Sequence, residues 1–504
     1  MSRNRILSNA CWSLALMSVS LSPAAGQGYR KPLGVYAHMD IEAAISRKPC
    51  SNSTSTADLH TCLTTLYSGL LADEAVSGIT AGAHWDDIQK SDPLCIFVNE
   101  CASGTEDGYD WSYLDDVFAA ANAAHKFVQL IITPGVDSPP WLLAKLPTCD
   151  GLFGPTGTAP ADCGQVTFAT FPESQRADGT PPVQPLPWNP LYILAWDDFL
   201  THLNLRYRSN PAFVAIAVAG PICASTEMIL PTAANKSTIS TGLDADTVWK
   251  TLMAHSFPYF PIYQNSDQVF IDTWKQTIDA YEQIFSGVTL FLSPDSGSDM
   301  PELPAVIHDM TLFNADCSTS SLPQSCGAKT EVLSYFLSAN GPNAKATQDG
   351  GMTASRSLKT GDIGIAGVKV LTAMDPTSFL GGAEFDFAVS DQTTLQQEGC
   401  PNYPTLCGLF GYPFTPEEAA YNVLTVFFNG TNAATHYGGT QGPAPIQYLE
   451  LDYTDIQYAQ TNPCPTLPST LPGSPSLQDL LNMASQDLFA IAGQLITLPP
   501  TICH

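Results

Sequence analysis

The sequence predicts an α/β chain built as a (β/α)8 TIM barrel enlarged by disulfide-stapled loop insertions. Three observations lead there. From residue 33 onward, short apolar strand-like runs alternate with helix-like stretches, the order that yields a parallel sheet rather than a sandwich. Eight such strand-like runs can be counted, the number that closes a barrel of this type. The Pro-, Gly- and Ser-rich segments 147–190, 294–330 and 388–414 each carry a close pair of cysteines, as stapled insertions do.

Taken in order, the first strand is expected over Leu33–Met39 and ends in Tyr-Ala-His-Met-Asp. The second, Val76–Ala83, runs into His84-Trp85-Asp86, and the third, Phe127–Thr133, precedes Pro139-Pro140-Trp141. The fourth is Phe213–Ala219, ahead of Glu227, and the fifth is Val288–Leu292. The sixth, Lys345–Asp349, is cut short by the Gly-Gly that follows; the seventh is Ala383–Phe387 and the eighth Ile446–Leu451. Helices are expected at Trp111–Ala124, at Tyr192–Arg208 with Arg206 and Arg208 where the helix dipole favours cations, and at Thr415–Phe428, whose first turn holds Pro416 and two glutamates. A last amphipathic helix, Leu477–Ile491, is placed to close the barrel.

The chain has 504 residues, 44% hydrophobic and 13% charged, enough apolar material for a large core. Its formal net charge of −28 repels nucleic acid and anionic membrane surfaces, so neither is expected as a partner, and it suits a soluble protein acting on neutral ligands. The start, Met-Ser-Arg-Asn-Arg followed by a mostly apolar stretch and Ser-Pro-Ala-Ala-Gly-Gln, reads as a secretory signal over residues 1–26. Residues 27–504 are then a single catalytic domain, secreted or periplasmic. Cysteine usage agrees: outside the signal, twelve of thirteen cysteines fall into sequential pairs, Cys50/Cys62, Cys95/Cys101, Cys149/Cys163, Cys317/Cys326, Cys400/Cys407 and Cys464/Cys503. Cys223 is left over and reads as a buried small hydrophobe.

In a barrel of this kind the chemistry sits at the carboxyl ends of the strands. Two glutamates stand out there, Glu227 in the segment after the fourth strand and Glu384 in Gly-Gly-Ala-Glu-Phe-Asp-Phe on the seventh. Two carboxyls from different strands are what cleavage of a glycosidic bond requires, one as acid and one as nucleophile or base. A gap of about 5 Å between them gives retention and about 6.5–9.5 Å gives inversion. Aromatic rings stack on the apolar faces of sugars, so Trp85, Trp141, Tyr259 and Tyr263 are expected to bind substrate, with His38, Asp40 and Glu450 taking hydroxyls. Glu450 is also the rival to Glu384 as nucleophile. His38, Asp40, His84 and Asp86 converge near the expected mouth, but no metal-ligand spacing supports a metal, and no cofactor is expected. Nucleophile-elbow, phosphate-loop and dinucleotide motifs do not occur.

The stretches Gly-Ala-His-Trp-Asp-Asp-Ile-Gln at 82–89, Tyr-Asp-Trp-Ser-Tyr-Leu-Asp-Asp at 109–116, Pro-Pro-Trp-Leu at 139–142 and Tyr-Leu-Glu-Leu-Asp-Tyr-Thr-Asp-Ile at 448–456 resemble a broad clan of retaining (β/α)8 glycoside hydrolases that includes β-galactosidases and cellulases. That resemblance implies an acid/base glutamate after strand four and a nucleophile on strand seven, which by position are Glu227 and Glu384. The clan's Asn before the acid/base is Thr226 here, and Glu227 lies farther past the strand than usual. The substrate implied is an oligo- or polysaccharide. Two rivals follow from the same residues: a secreted carbohydrate-binding protein without catalysis, and a metal-dependent hydrolase using the His38, Asp40 and His84 group.

Overall fold

In a computed structural model the described residues are 32–41, 50–91, 108–149, 163–167, 182–220, 252, 268–292, 332, 335–336, 345–353, 379–386, 417, 420, 448–464, 475–491 and 494–498, with 345–353 and 379–386 described through their backbone alone. The expected signal segment lies outside them.

Among the described residues ten strands are seen: β1 (Gly34–Asp40), β2 (Val76–His84), β3 (Phe127–Thr133), β4 (Gln165–Thr167), β5 (Val183–Pro185), β6 (Phe213–Ala217), β7 (Thr289–Leu292), β8 (Lys345–Thr353), β9 (Phe379–Asp386) and β10 (Tyr448–Asp452). Eight of them pair in the order β1-β10-β9-β8-β7-β6-β3-β2 and close into a barrel in which every pairing is parallel. β4 and β5 form a small antiparallel ribbon of their own. The helices are α1 (Thr56–Leu71), α2 (Trp85–Ile88), α3 (Ser112–Ala124), α4 (Pro140–Leu143), α5 (Pro190–Tyr207), α6 (Gln268–Ile284), α7 (Tyr453–Thr461) and α8 (Leu477–Ile491). A helix of at least nine residues follows β1, β2, β3, β6 and β10; the corresponding stretches after β7, β8 and β9 lie largely outside the described residues. The helix expected at 415–428 is one of these, with only Glu417 and Ala420 described, both helical and buried.

Local chemistry sets the helix boundaries. Ser55 caps α1 by accepting from the Asp58 amide at 3.1 Å. Asn189 accepts from the amides of Leu191 and Tyr192, and Pro190 takes the first position of α5, where no amide hydrogen is missed. α8 opens with a reciprocal capping box: Ser476 Oγ accepts from the Asp479 amide at 3.1 Å while the Asp479 carboxylate accepts from the Ser476 amide at 3.0 Å. α3 ends on His125 at φ 55°, a left-handed cap whose amide reaches back to Ala121 and Asn122. Arg206 in the last turn of α5 grips both oxygens of Asp115 on α3, tying two outer helices together.

β2, β3, β6 and β7 are buried on both faces, as a parallel sheet covered by helices requires. Inside the barrel Tyr36, Ile131, Val214, Ala215, Ala217, Phe291 and Tyr448 form one cluster, with Tyr36 edge-on to Tyr448 at 5.9 Å. The larger cluster fills the layer between sheet and helices. There α8 packs on β1 and α7 on β1 and β10, so the C-terminal helices cover the seam where the ring closes. Two of the six expected disulfides join described residues, Cys50–Cys62 and Cys149–Cys163, and Cys464 is disulfide-bonded as well. No helix among the described residues is long and apolar enough to cross a membrane.

Two glycines separate packing from propensity. A Cβ on Gly78 in β2 would lie 2.4 Å from the Phe127 carbonyl oxygen and 2.6 Å from Tyr36 Cε1. A Cβ on Gly69, exposed in the last turn of α1, would meet nothing within 4 Å. Gly78→Ala is therefore expected to destabilise by at least about 2 kcal/mol, whereas Gly69→Ala should stabilise by about 0.5–1 kcal/mol. Urea unfolding midpoints check both; equal effects of the two changes would contradict the packing described.

Candidate active site at the barrel mouth

The carboxyl ends of β1, β2, β3 and β10 bring His38 and Asp40, His84, Thr133 and Asp452 to one end of the barrel. His38 is the register partner of Asp452 and of Thr80, and Asp40 of Gly82. His38, Asp40 and His84 are each half-buried, accessible from the mouth yet held by the strands that carry them. Asp452 is engaged locally, capping α7 through the Thr454 amide at 2.7 Å.

One layer deeper lies Glu450, which is fully buried. Its register partners are Tyr36 on β1 and Glu384 on β9, so the two glutamates weighed as nucleophile occupy adjacent positions of one barrel layer. The Tyr36 phenol is pushed well above its ordinary range, chiefly by burial and further by the negative charge of Glu450. An acidic phenol is thereby excluded at this level of the barrel, and Tyr36 serves as a neutral neighbour of the carboxyl.

The segment bearing Glu227 leaves the barrel after β6, and its stem is pinned from three sides. The Val218 amide donates to Phe291 O at 2.8 Å, extending the pairing with β7 beyond the strand. Tyr192 Oη donates to Gly220 O at 2.6 Å, Trp196 Nε1 to Ala219 O at 2.9 Å, and the Ala219 amide to Tyr281 Oη at 3.2 Å. Tyr192 Oη also accepts from the Gly135 amide at 3.3 Å, linking the ends of β3 and β6. The sequence does not single out Tyr192, Trp196 or Tyr281 for this clamp. Their helical spacing shows only that they are buried, since a bond to the backbone of another element leaves no local pattern.

The expected aromatic platform takes a different form. Trp85 was expected to meet substrate, but it is fully buried: its ring lies edge-on to Trp196 at 4.9 Å and Nε1 donates to Gln89 at 2.6 Å. The physical reason is α2, which begins at Trp85 and turns the indole back into the helix layer as soon as β2 ends. Trp141 is only partly buried, on α4, and Trp188 is buried. Glu227, Tyr259, Tyr263 and Cys223 lie outside the described residues.

Beside the clamp, burial raises the Asp197 carboxyl to about 6. Between about pH 4 and 6 the folded chain keeps a proton that the unfolded chain has released, so this group subtracts stability as pH rises through that window. Asp197→Asn is expected to raise the melting temperature at pH 7 and to change it little below pH 4. A gain of equal size at both pH values would contradict the assignment.

No family model matches the chain, and no curated protein matches it in sequence. Among solved structures, the catalytic domain of a β-amylase from Paenibacillus polymyxa is 11% identical over 84% of this chain and 94% of that one, at a TM-score of 0.39. A β-galactosidase from the psychrophilic Marinomonas ef1 is 8% identical over 92% of this chain and 65% of its own length, at a TM-score of 0.38. Likeness this loose carries no weight for activity, which has to be argued from the chain's own residues.

Proposed function

We propose that this chain is a secreted glycoside hydrolase that cleaves an oligo- or polysaccharide by a two-glutamate, retaining mechanism. The observation that carries the reading is the position of Glu384 on β9, the seventh strand of the ring counted along the chain, in register with the buried Glu450 on β10. Glu227 follows β6, the fourth strand, whose stem is clamped as described. Glu227 protonates the leaving glycosidic oxygen while Glu384 attacks the anomeric carbon, forming a glycosyl ester and releasing the first product. Glu227 then takes a proton from water, which cleaves the ester and frees Glu384. His38 and Asp40 bind hydroxyls at the mouth, with Trp141, Tyr259 and Tyr263 as stacking surfaces. Glu450, expected to take a sugar hydroxyl, is fully buried two residues before the end of β10 and stays the rival to Glu384 as nucleophile rather than a contact for solvent-side hydroxyls. Export is supported by the signal-like segment 1–26 and by the disulfides.

The test is turnover of a panel of aryl glycosides and polysaccharides by wild type, Glu227→Gln, Glu384→Gln and Glu450→Gln, each checked for folding by circular dichroism. Glu227→Gln and Glu384→Gln are expected to lose at least about a hundredfold in rate. Full activity in Glu384→Gln with loss in Glu450→Gln would move the nucleophile to β10. Sugar binding by wild type without any turnover would favour a carbohydrate-binding protein instead.

A further inference from the structure

We propose that the barrel interior below the mouth binds an internal water, held by the Thr80 hydroxyl and the Gln129 amide with the Tyr36 phenol beside them. The side chains that face this level follow from the register. Tyr36 belongs to the cluster inside the barrel and its partner on β2 is Gly78, so Thr80, two residues further along β2, faces inward as well. Thr80 in turn pairs with Gln129 on β3, and Ile131, the next inward residue of β3, is in the same interior cluster. Thr80, Gln129 and Tyr36 are all fully buried. Interiors of such barrels are normally packed with bulky branched apolar side chains, and a hydroxyl, a primary amide and a phenol at neighbouring positions depart from that.

The polar atoms themselves name the ligand. None of Thr80 Oγ1, Gln129 Nε2, Gln129 Oε1 and Tyr36 Oη has a hydrogen-bond partner of ordinary geometry within the protein. The Tyr36 ring lies across Gly78, where a Cβ would come within 2.6 Å of Cε1. Burial raises its phenol, while the Leu33 backbone and Gln129 act in the opposite sense, which sets Gln129 close to the hydroxyl. Buried hydroxyls and amides are costly unless something completes their hydrogen bonds. Gln129 Nε2 can only donate and Oε1 can only accept, so neither a cation nor an anion satisfies both, whereas water does. Several convergent polar groups are also what an internal water requires. Small neighbours leave room for it. Ala215 on β6 is the register partner of Gln129, and on β2 the next inward residue after Thr80 is Gly82, where the nearest atoms to a Cβ belong to β1 at 3.4 Å or more. With no exposed surface at Thr80 or Gln129, a water held there exchanges with solvent only when the barrel opens locally.

Crystallography of the intact wild-type chain, at a resolution that shows ordered water, is expected to find density within hydrogen-bond distance of both Thr80 Oγ1 and the Gln129 amide. In solution, oxygen-17 magnetic relaxation dispersion is expected to count fewer long-lived waters in Gln129→Met than in wild type. Thr80→Val keeps the shape and removes the hydroxyl. If Oγ1 binds water, the change lowers the urea midpoint; if Oγ1 faces nothing, replacing it with a methyl group removes an orphaned polar atom and raises the midpoint. The lower midpoint is expected. Absence of density at that place in wild type would overturn the proposal, and this result needs no variant to fold. An unchanged count of long-lived waters in a folded Gln129→Met, a raised midpoint in Thr80→Val, or density whose short all-oxygen coordination marks a metal cation would overturn it too. None of these outcomes depends on whether a glycosidic bond is cut.

Discussion

Closure of the barrel between β1 and β10 is the constraint on which the remaining structure depends. β1 begins the described chain and β10 lies near its end, yet they pair residue for residue from Gly34 with Tyr448 to His38 with Asp452. Pairing elements so distant in sequence carries a large loop-closure entropy, offset only when the whole ring forms and no strand edge is left exposed. α7 and α8 then bury the seam against β1. The same register sets Tyr36 beside Glu450 and, through β9, Glu450 beside Glu384. Barrel closure therefore fixes both the fold and the spacing of the acidic layer.

The second organising feature is the clamp on Ala219 and Gly220. Three side chains from α5 and α6 satisfy backbone groups that β6 leaves unpaired beyond its last residue. Buried backbone polar groups without partners are costly, so these bonds hold the stem where Glu227 departs. The mouth is acidic as well as pinned: Asp86, Asp87 and Asp137 gather around His84. A neutral sugar tolerates such a surface, and a cation is attracted by it, whereas a phosphate or nucleic acid is repelled.

Much of the strand framework was legible in the sequence. β3 runs over the expected residues, Phe127–Thr133, because it is a largely apolar, β-branched run, interrupted by Gln129, between Lys126 and Pro134. β8 and β9 were read too short: each contains a Gly-Gly pair that signals a turn locally but is carried by ladder pairing to its neighbours. Trp85 shows the limit more sharply. Its place after a strand suggested the mouth, and only the one-turn helix that follows reveals the indole turned inward against Trp196. The clamp and the Asp137–His84 approach were illegible for the same reason, since both join residues far apart in sequence that have no common period.

The central claim is that Glu384, in the layer built by β9 and β10, attacks the anomeric carbon. It is tested most directly by acid-quenching wild type during turnover of its best aryl glycoside and locating any sugar adduct by peptide mass spectrometry. The account predicts one added glycosyl unit on the peptide containing Glu384, absent in Glu384→Gln. An adduct on Glu450, or turnover that never yields an adduct and inverts the anomeric centre, would contradict it.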